Sequence, residues 1–103
     1  MSNRSYGLAY ERKEKHLWQD NGSFAHRARG SFGLFDLIVS DLTEWKLISV
    51  KSTKQKYFSF KREIKKIKSF DKAPAGTRVM LILYHKGKRK ILFEKRLGDT
   101  DVI

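Results

Sequence analysis

Residues 78–85, RVMLILYH, impose the strongest constraint on the fold. Apolar or aromatic residues run without interruption from Val79 to Tyr84. A strand with one wet face alternates apolar and polar residues. This one does not, so it predicts a central strand covered on both faces. A chain of 103 residues can supply that cover from a single core without staples.

The covering elements follow from local patterns. A helix is expected over 4–20, with Tyr6, Tyr10 and Leu17 on one side, Trp18 at the margin of the stripe and Asn21-Gly22 as the stop. Glu11 lies near Trp18 around the wheel, where it is either half-buried against the body or solvated and paired with Lys15. Residues 23–29 predict a short strand with Phe24, His26 and Ala28 on one face. Gly30-Ser31-Phe32-Gly33 is a link, read as a plain turn or as a glycine pair where a phosphate can approach the backbone. Strands over 34–40 and 45–52 form a hairpin across the polar turn 41–44. A second helix follows, with Ser59 as N-cap, Phe60, Ile64 and Ile67 inward, and Lys61, Arg62, Lys65, Lys66 and Lys68 outward. Tyr57, Phe58 and Phe60 are expected mainly as core and helix-staple residues, with base stacking as the alternative. Ala73–Gly76 and Lys86-Gly87 are turns around the apolar strand, and 88–94 is its partner. The order α-β-β-β-α-β-β predicts an α/β (α+β) fold: one domain over 1–103, a mixed sheet of about five strands flanked by helices, and a loose tail at 98–103.

Several functions are excluded or disfavoured. With no cysteine there is no disulfide, thiolate nucleophile or cysteine zinc site. His16, His26 and His85 have no metal-ligand spacing, and no serine has a base-and-orienter set. No apolar run approaches the ~20 residues of a membrane span, and the N-terminus lacks the apolar centre of a signal peptide. The expectation is a soluble, intracellular, cytoplasmic protein away from membranes.

Charge is unevenly spread. The chain carries +12, and residues 54–97 alone hold fifteen Lys/Arg against three acids. Residues 34–53, by contrast, hold three acids (Asp36, Asp41, Glu44) and two lysines (Lys46, Lys51). An acidic hairpin in a basic chain suits a polyanion held over a reactive pocket, and charge alone also suits simple nucleic-acid binding. Asp36 is the notable acid, because a carboxylate inside an apolar strand needs a partner, a metal or a task. Ser49 and Lys51 lie two apart and share a face, and the hairpin can bring Asp36 beside them. Lys54, Lys56, Lys61, Arg62, Lys65, Lys88 and Arg89 are candidate phosphate contacts.

A helix glutamate, a strand aspartate and a small residue–x–lysine on the next strand resemble the PD-(D/E)XK nuclease superfamily, and within it most the archaeal Holliday-junction resolvases. The carrying stretches are AYERKEKHLW (9–18), RARGSFGLFDLIV (27–39) and ISVKSTKQKYF (48–58), and the likeness runs from about Tyr6 to Leu97. It implies a restriction-endonuclease-like sheet and a catalytic set of Glu11, Asp36 and Lys51. It also implies Arg27 or Arg29 with Ser31 as the basic residue and serine that precede the aspartate and meet DNA. A homodimer is implied, since two symmetric nicks need two sites. One position departs: the family expects an acidic residue or glutamine where this chain has Ser49.

The chemistry implied is phosphodiester hydrolysis with Mg²⁺, or Mn²⁺ as a substitute. Asp36 and Glu11 would ligate the ion, with the Val50 backbone carbonyl as a further ligand and Ser49 acting weakly or through water. Lys51 would orient or deprotonate the attacking water. The leading expectation is a structure-specific DNA endonuclease acting on four-way junctions. The alternatives are an inactive nuclease-fold protein that binds DNA and a small basic RNA-binding protein.

Overall fold

The computed structural model describes residues 3–28 and 34–98, with side chains from Gly7 onward. The elements are α1 (Asn3–Asp20), β1 (Phe24–Arg27), β2 (Leu37–Ser40), β3 (Trp45–Thr53), α2 (Lys61–Ser69), β4 (Arg78–His85) and β5 (Lys88–Arg96). The fold is α+β: five strands form one mixed sheet in the order β1-β2-β3-β4-β5, flanked by two helices. β1, β2 and β3 pair antiparallel, β3 and β4 pair parallel across the α2 crossover, and β4 and β5 pair antiparallel.

β4 has the expected two-sided cover. Met80, Ile82 and Tyr84 join Ile48, Val50, Leu37, Val39 and Ala25 beneath α1, where Tyr10 and Trp18 pack on them. Val79 and Leu81 join Leu47, Phe35, Ile67, Phe70 and Leu97 on the opposite face, beneath α2. At about 25 cal/mol per Å² of apolar area removed from water, these two layers are the main source of stability. Lys86 (φ 52) and Gly87 (φ 83) close the β4–β5 hairpin with two successive left-handed residues, the pattern a two-residue turn needs to match strand twist.

On β1, Phe24 and His26 share a face, as expected; that face is exposed, and Ala25 is the inward residue. The structure corrects three local expectations. β2 starts only at Leu37, so Phe35 escapes the alternation and packs under α2 instead of sharing a face with Leu37. α2 begins at Lys61 with Phe60 at the N-cap position; the Ser59 hydroxyl merely accepts from the Lys61 N–H at 3.5 Å. On α1 the inward stripe is Tyr10, Glu14 and Trp18, whereas Leu17 is exposed. The Tyr6 side chain, the link 29–33 and the tail residues 99–103 lie outside the described residues.

Candidate active site

Topology gathers the candidate residues at one end of the sheet. β3 and β4 are parallel, so Lys51–Thr53 and the β4–β5 turn share that end, and the Lys86 N–H donates to the Thr53 carbonyl at 3.0 Å. β2 runs against β3, so its start, with Asp36 just before it, lies there too. β1 runs against β2, which puts Arg27 at the same end. In open sheets with parallel strands, ligands characteristically bind outside the carboxyl ends of those strands.

Asp36 is fixed by the last contacts between the β2 segment and β3. Its N–H donates to the Ile48 carbonyl at 2.8 Å, and its Oδ2 accepts the Val50 N–H at 2.7 Å. The side chain thus stands in for the strand where β2 pairing has not yet begun. The N–H and C=O of one strand residue point to the same edge, so the Val50 carbonyl is directed toward Asp36 as well. Continuing the register of Leu37 with Ile48 places Ser49 opposite Asp36. Ser49 is buried, and its Oγ has no hydrogen-bond partner among the described residues. A buried hydroxyl left unpaired costs about 1–3 kcal/mol, so Ser49 Oγ is a polar atom with capacity for a further partner.

Glu11 reaches the same end from α1. It is half-buried, and its ion-pair partner is Arg27, with Arg27 Nε 3.7 Å from Oε1. That separation is too long for a hydrogen bond, and Arg27 Nε, a buried atom, has no hydrogen-bond partner among the described residues. Burial pushes the Glu11 carboxyl above its ordinary range. The Asp36 charge adds to the rise, and Arg27 and Lys51 offset part of it. Burial likewise pushes Asp36 up, against the Val50 N–H and the charges of Lys51 and Arg27. Glu11, Asp36, Arg27 and Lys51 therefore sit within one another's fields, with two incompletely compensated carboxylates at the centre. Buried carboxylates with raised affinity for a proton also favour a bound cation.

The other two acids of the hairpin, Asp41 and Glu44, are compensated. At the far end of the sheet, Asp41 accepts the Thr43 and Glu44 N–H groups at 2.7 and 2.9 Å and Lys46 Nζ at 2.7 Å. Lys46 leads these causes in holding the Asp41 carboxyl well below its usual range. Glu44 binds Arg78 Nε at 2.8 Å and Lys46 Nζ at 3.2 Å, and Arg78 leads in lowering it. Of the three acids that make the hairpin acidic, two are thus structural.

Glu14 was not foreseen as a site residue. It is completely buried and accepts from Trp18 Nε1 (2.9 Å), the Tyr84 hydroxyl (2.7 Å), Arg89 Nε (2.8 Å) and Arg89 Nη2 (2.7 Å). Burial opposes its charge, but the bonds from Arg89, Tyr84 and Trp18 outweigh that and hold the carboxyl below its usual range. Its position four residues from both Tyr10 and Trp18 on the wheel was the available signal.

The expected phosphate contacts divide. Lys54, Lys56, Lys61, Arg62, Lys65 and Lys88 are exposed. α2 leaves from the site end, so its first cations, Lys61 and Arg62, begin there. Arg27 and Arg89, by contrast, spend their guanidinium groups on Glu11 and Glu14. Arg29 and Ser31 lie outside the described residues. Among the described residues no three of His, Cys, Asp and Glu are grouped to hold a metal, and no helix is long and apolar enough to cross a membrane. No protein-family model and no curated protein matches the sequence.

Proposed function

We propose that this chain is a metal-dependent endodeoxyribonuclease acting on branched DNA, with a four-way junction as substrate. One observation carries the reading: in a strongly basic chain, Glu11 and Asp36 are both half-buried within one another's field, both pushed up in pKa, and both under the charge of Lys51. Asp41, Glu44 and Glu14 each meet two or more donors and are lowered in pKa, whereas Asp36 accepts one backbone N–H and Glu11 stands 3.7 Å from Arg27 Nε, and both are raised.

The donor set fits a hard, oxygen-liking dication. Asp36 Oδ1, Glu11 and the Val50 carbonyl would hold Mg²⁺ or Mn²⁺, and the orphaned Ser49 Oγ would hold a water of its shell. Mg²⁺ keeps several waters, so two carboxylates suffice. When bound, the ion supplies Lewis-acid polarisation of the phosphate and a more acidic water. The chain's own part is positional. The Val50 N–H locks the Asp36 rotamer. Arg27 restrains Glu11. Lys51 sits on the face shared with Ser49, where its ammonium orients the attacking water and offsets charge building on phosphate oxygens. Exposed Lys54, Lys56, Lys61, Arg62, Lys65 and Lys88 hold the flanking backbone. A homodimer would present two such sites to the two strands of a junction.

The test is cleavage of labelled four-way junctions, flaps and linear duplex with Mg²⁺, Mn²⁺ or EDTA. Paired symmetric nicks in either metal are expected, reduced about 10²–10⁴-fold by Asp36→Ala and by Lys51→Ala. Ser49 favours a second reading, a nuclease fold that only binds DNA, since a neutral hydroxyl replaces an anionic ligand. Tight junction binding without cleavage in either metal would establish that reading instead. Preference for RNA would reject both.

A further inference from the structure

Of the three aromatic residues after β3, Phe60 packs against the core beneath α2, as expected, but Tyr57 and Phe58 do not join the core. Tyr57 is 80 % exposed and Phe58 36 % exposed. The loop that carries them is nevertheless well anchored. The Gln55 N–H donates to Thr53 Oγ1 at 3.1 Å, and His85 Nε2 meets the Gln55 carbonyl at 2.8 Å. Phe58 packs at 4.8 Å on the His85 ring and 5.6 Å on Phe60. Phe58 thus serves as the loop's anchor and Tyr57 projects from it. The side chain against the Tyr57 ring is Lys56, with Nζ 5.5 Å from the centroid. An exposed aromatic face held on a braced loop and flanked by cations is what a nucleobase stacks on.

Its location is equally specific. Tyr57 is six residues beyond Lys51, so it lies within about 20 Å of it along the chain. At 3.4 Å per base step, that is within about six steps of a phosphate at the site. The surroundings argue for a nucleic acid over a protein partner, because the loop lies between Lys51 and the cationic start of α2.

Resting on the DNA-binding reading above, we propose that Tyr57 is a stacking platform for an unpaired nucleobase within about six base steps of the scissile phosphate, selecting DNA whose bases can leave the duplex. The experiment measures anisotropy of labelled DNA in EDTA, comparing a closed duplex, the same duplex with a short single-stranded gap, and the gap made abasic. Tyr57→Ala should weaken binding to the gapped DNA about 5- to 100-fold. It should leave the duplex, the abasic gap and the salt dependence unchanged, because no phosphate contact is lost. Tyr57→Phe, which keeps the ring, should bind like the parent. At such exposure both variants should keep the parent melting temperature. Parent-like binding of Tyr57→Ala to every DNA would overturn the assignment alone and leave Tyr57 as a contact for a protein. An equal loss on all three DNAs would overturn it too, whereas failure of the parent chain to bind any DNA would overturn the DNA reading with it.

Discussion

Arg89→Ala removes the guanidinium from a carboxylate that has no access to water. Glu14 is completely buried, and two of its four hydrogen bonds come from Arg89. Leaving one member of a buried pair without the other typically costs 3–5 kcal/mol. Arg89 is itself 34 % exposed, so its removal opens a route for water and puts the loss near the lower bound, about 3 kcal/mol. At roughly 4–8 °C per kcal/mol for a domain of this size, the melting temperature should fall about 12–24 °C. The pH dependence should invert as well. In the parent, Glu14 is held below its unfolded value, so its contribution is complete above the unfolded pKa and is lost as pH falls through the folded one. Without Arg89, burial dominates and raises the folded pKa, so the variant should gain on its parent as pH falls. Replacing both partners, Glu14→Met with Arg89→Met, should recover much of the loss, because no charge is stranded. The assay is thermal and urea unfolding by circular dichroism from pH 4 to 8 at about two-unit steps. A cost under about 1 kcal/mol with an unchanged pH profile would refute the pairing.

Asp36→Asn should raise the melting temperature in EDTA at neutral pH. The raised Asp36 pKa means that stability is present below the unfolded value and lost as pH rises through the folded one, a penalty the amide does not carry. Mg²⁺ should stabilise the parent but not this variant, as scanning fluorimetry will show; equal responses would remove Asp36 from the metal site. Parent affinity for a junction should fall with log salt at a slope of about −5 if six phosphates are met, and Lys61→Gln, Arg62→Gln and Lys65→Gln together should reduce that slope by about 2–3. Ser49→Ala, which deletes an orphaned hydroxyl, should leave unfolding free energy equal or up to about 1 kcal/mol higher. Ser49→Glu should nick junctions as fast as the parent or faster; a large loss would mean that the ligand arrangement is wrong.

Local periodicity carried most of the fold. The unbroken apolar run of β4 and the 3.6-residue pattern of α2 need no distant information, and both elements lie where they were expected. The misplaced features depend on remote partners. On α1, only packing on the sheet selects Trp18 over Leu17 as the inward residue. The wheel places Glu14 between Tyr10 and Trp18 but does not name its partner, because Arg89 is 75 residues away, on a hairpin whose approach to α1 no helical wheel reveals. For the same reason Arg89 read as a phosphate contact. Asp36 and Lys51 were legible because a two-strand hairpin sets their proximity within one short stretch.

Compensation, more than the presence of acids, separates structure from candidate chemistry here. Asp41, Glu44 and Glu14 each meet two or more donors, and each is lowered in pKa. Their charges are consumed in closing a turn, tying β3 to β4 and fastening α1 to β5. Among the described residues, Glu11 has its ion-pair partner Arg27 too far for a hydrogen bond, Asp36 accepts a backbone N–H, and both are raised although Arg27 and Lys51 offset part of the rise. In a chain with twice as many cations as acids, shielding these two would have been easy. The fold instead commits Arg89 to Glu14, and Lys46 and Arg78 to the far turn, and leaves Glu11 and Asp36 in each other's field, offset only in part by Arg27 and Lys51. That arrangement costs stability, and the proposed metal site would give the cost a physical reason.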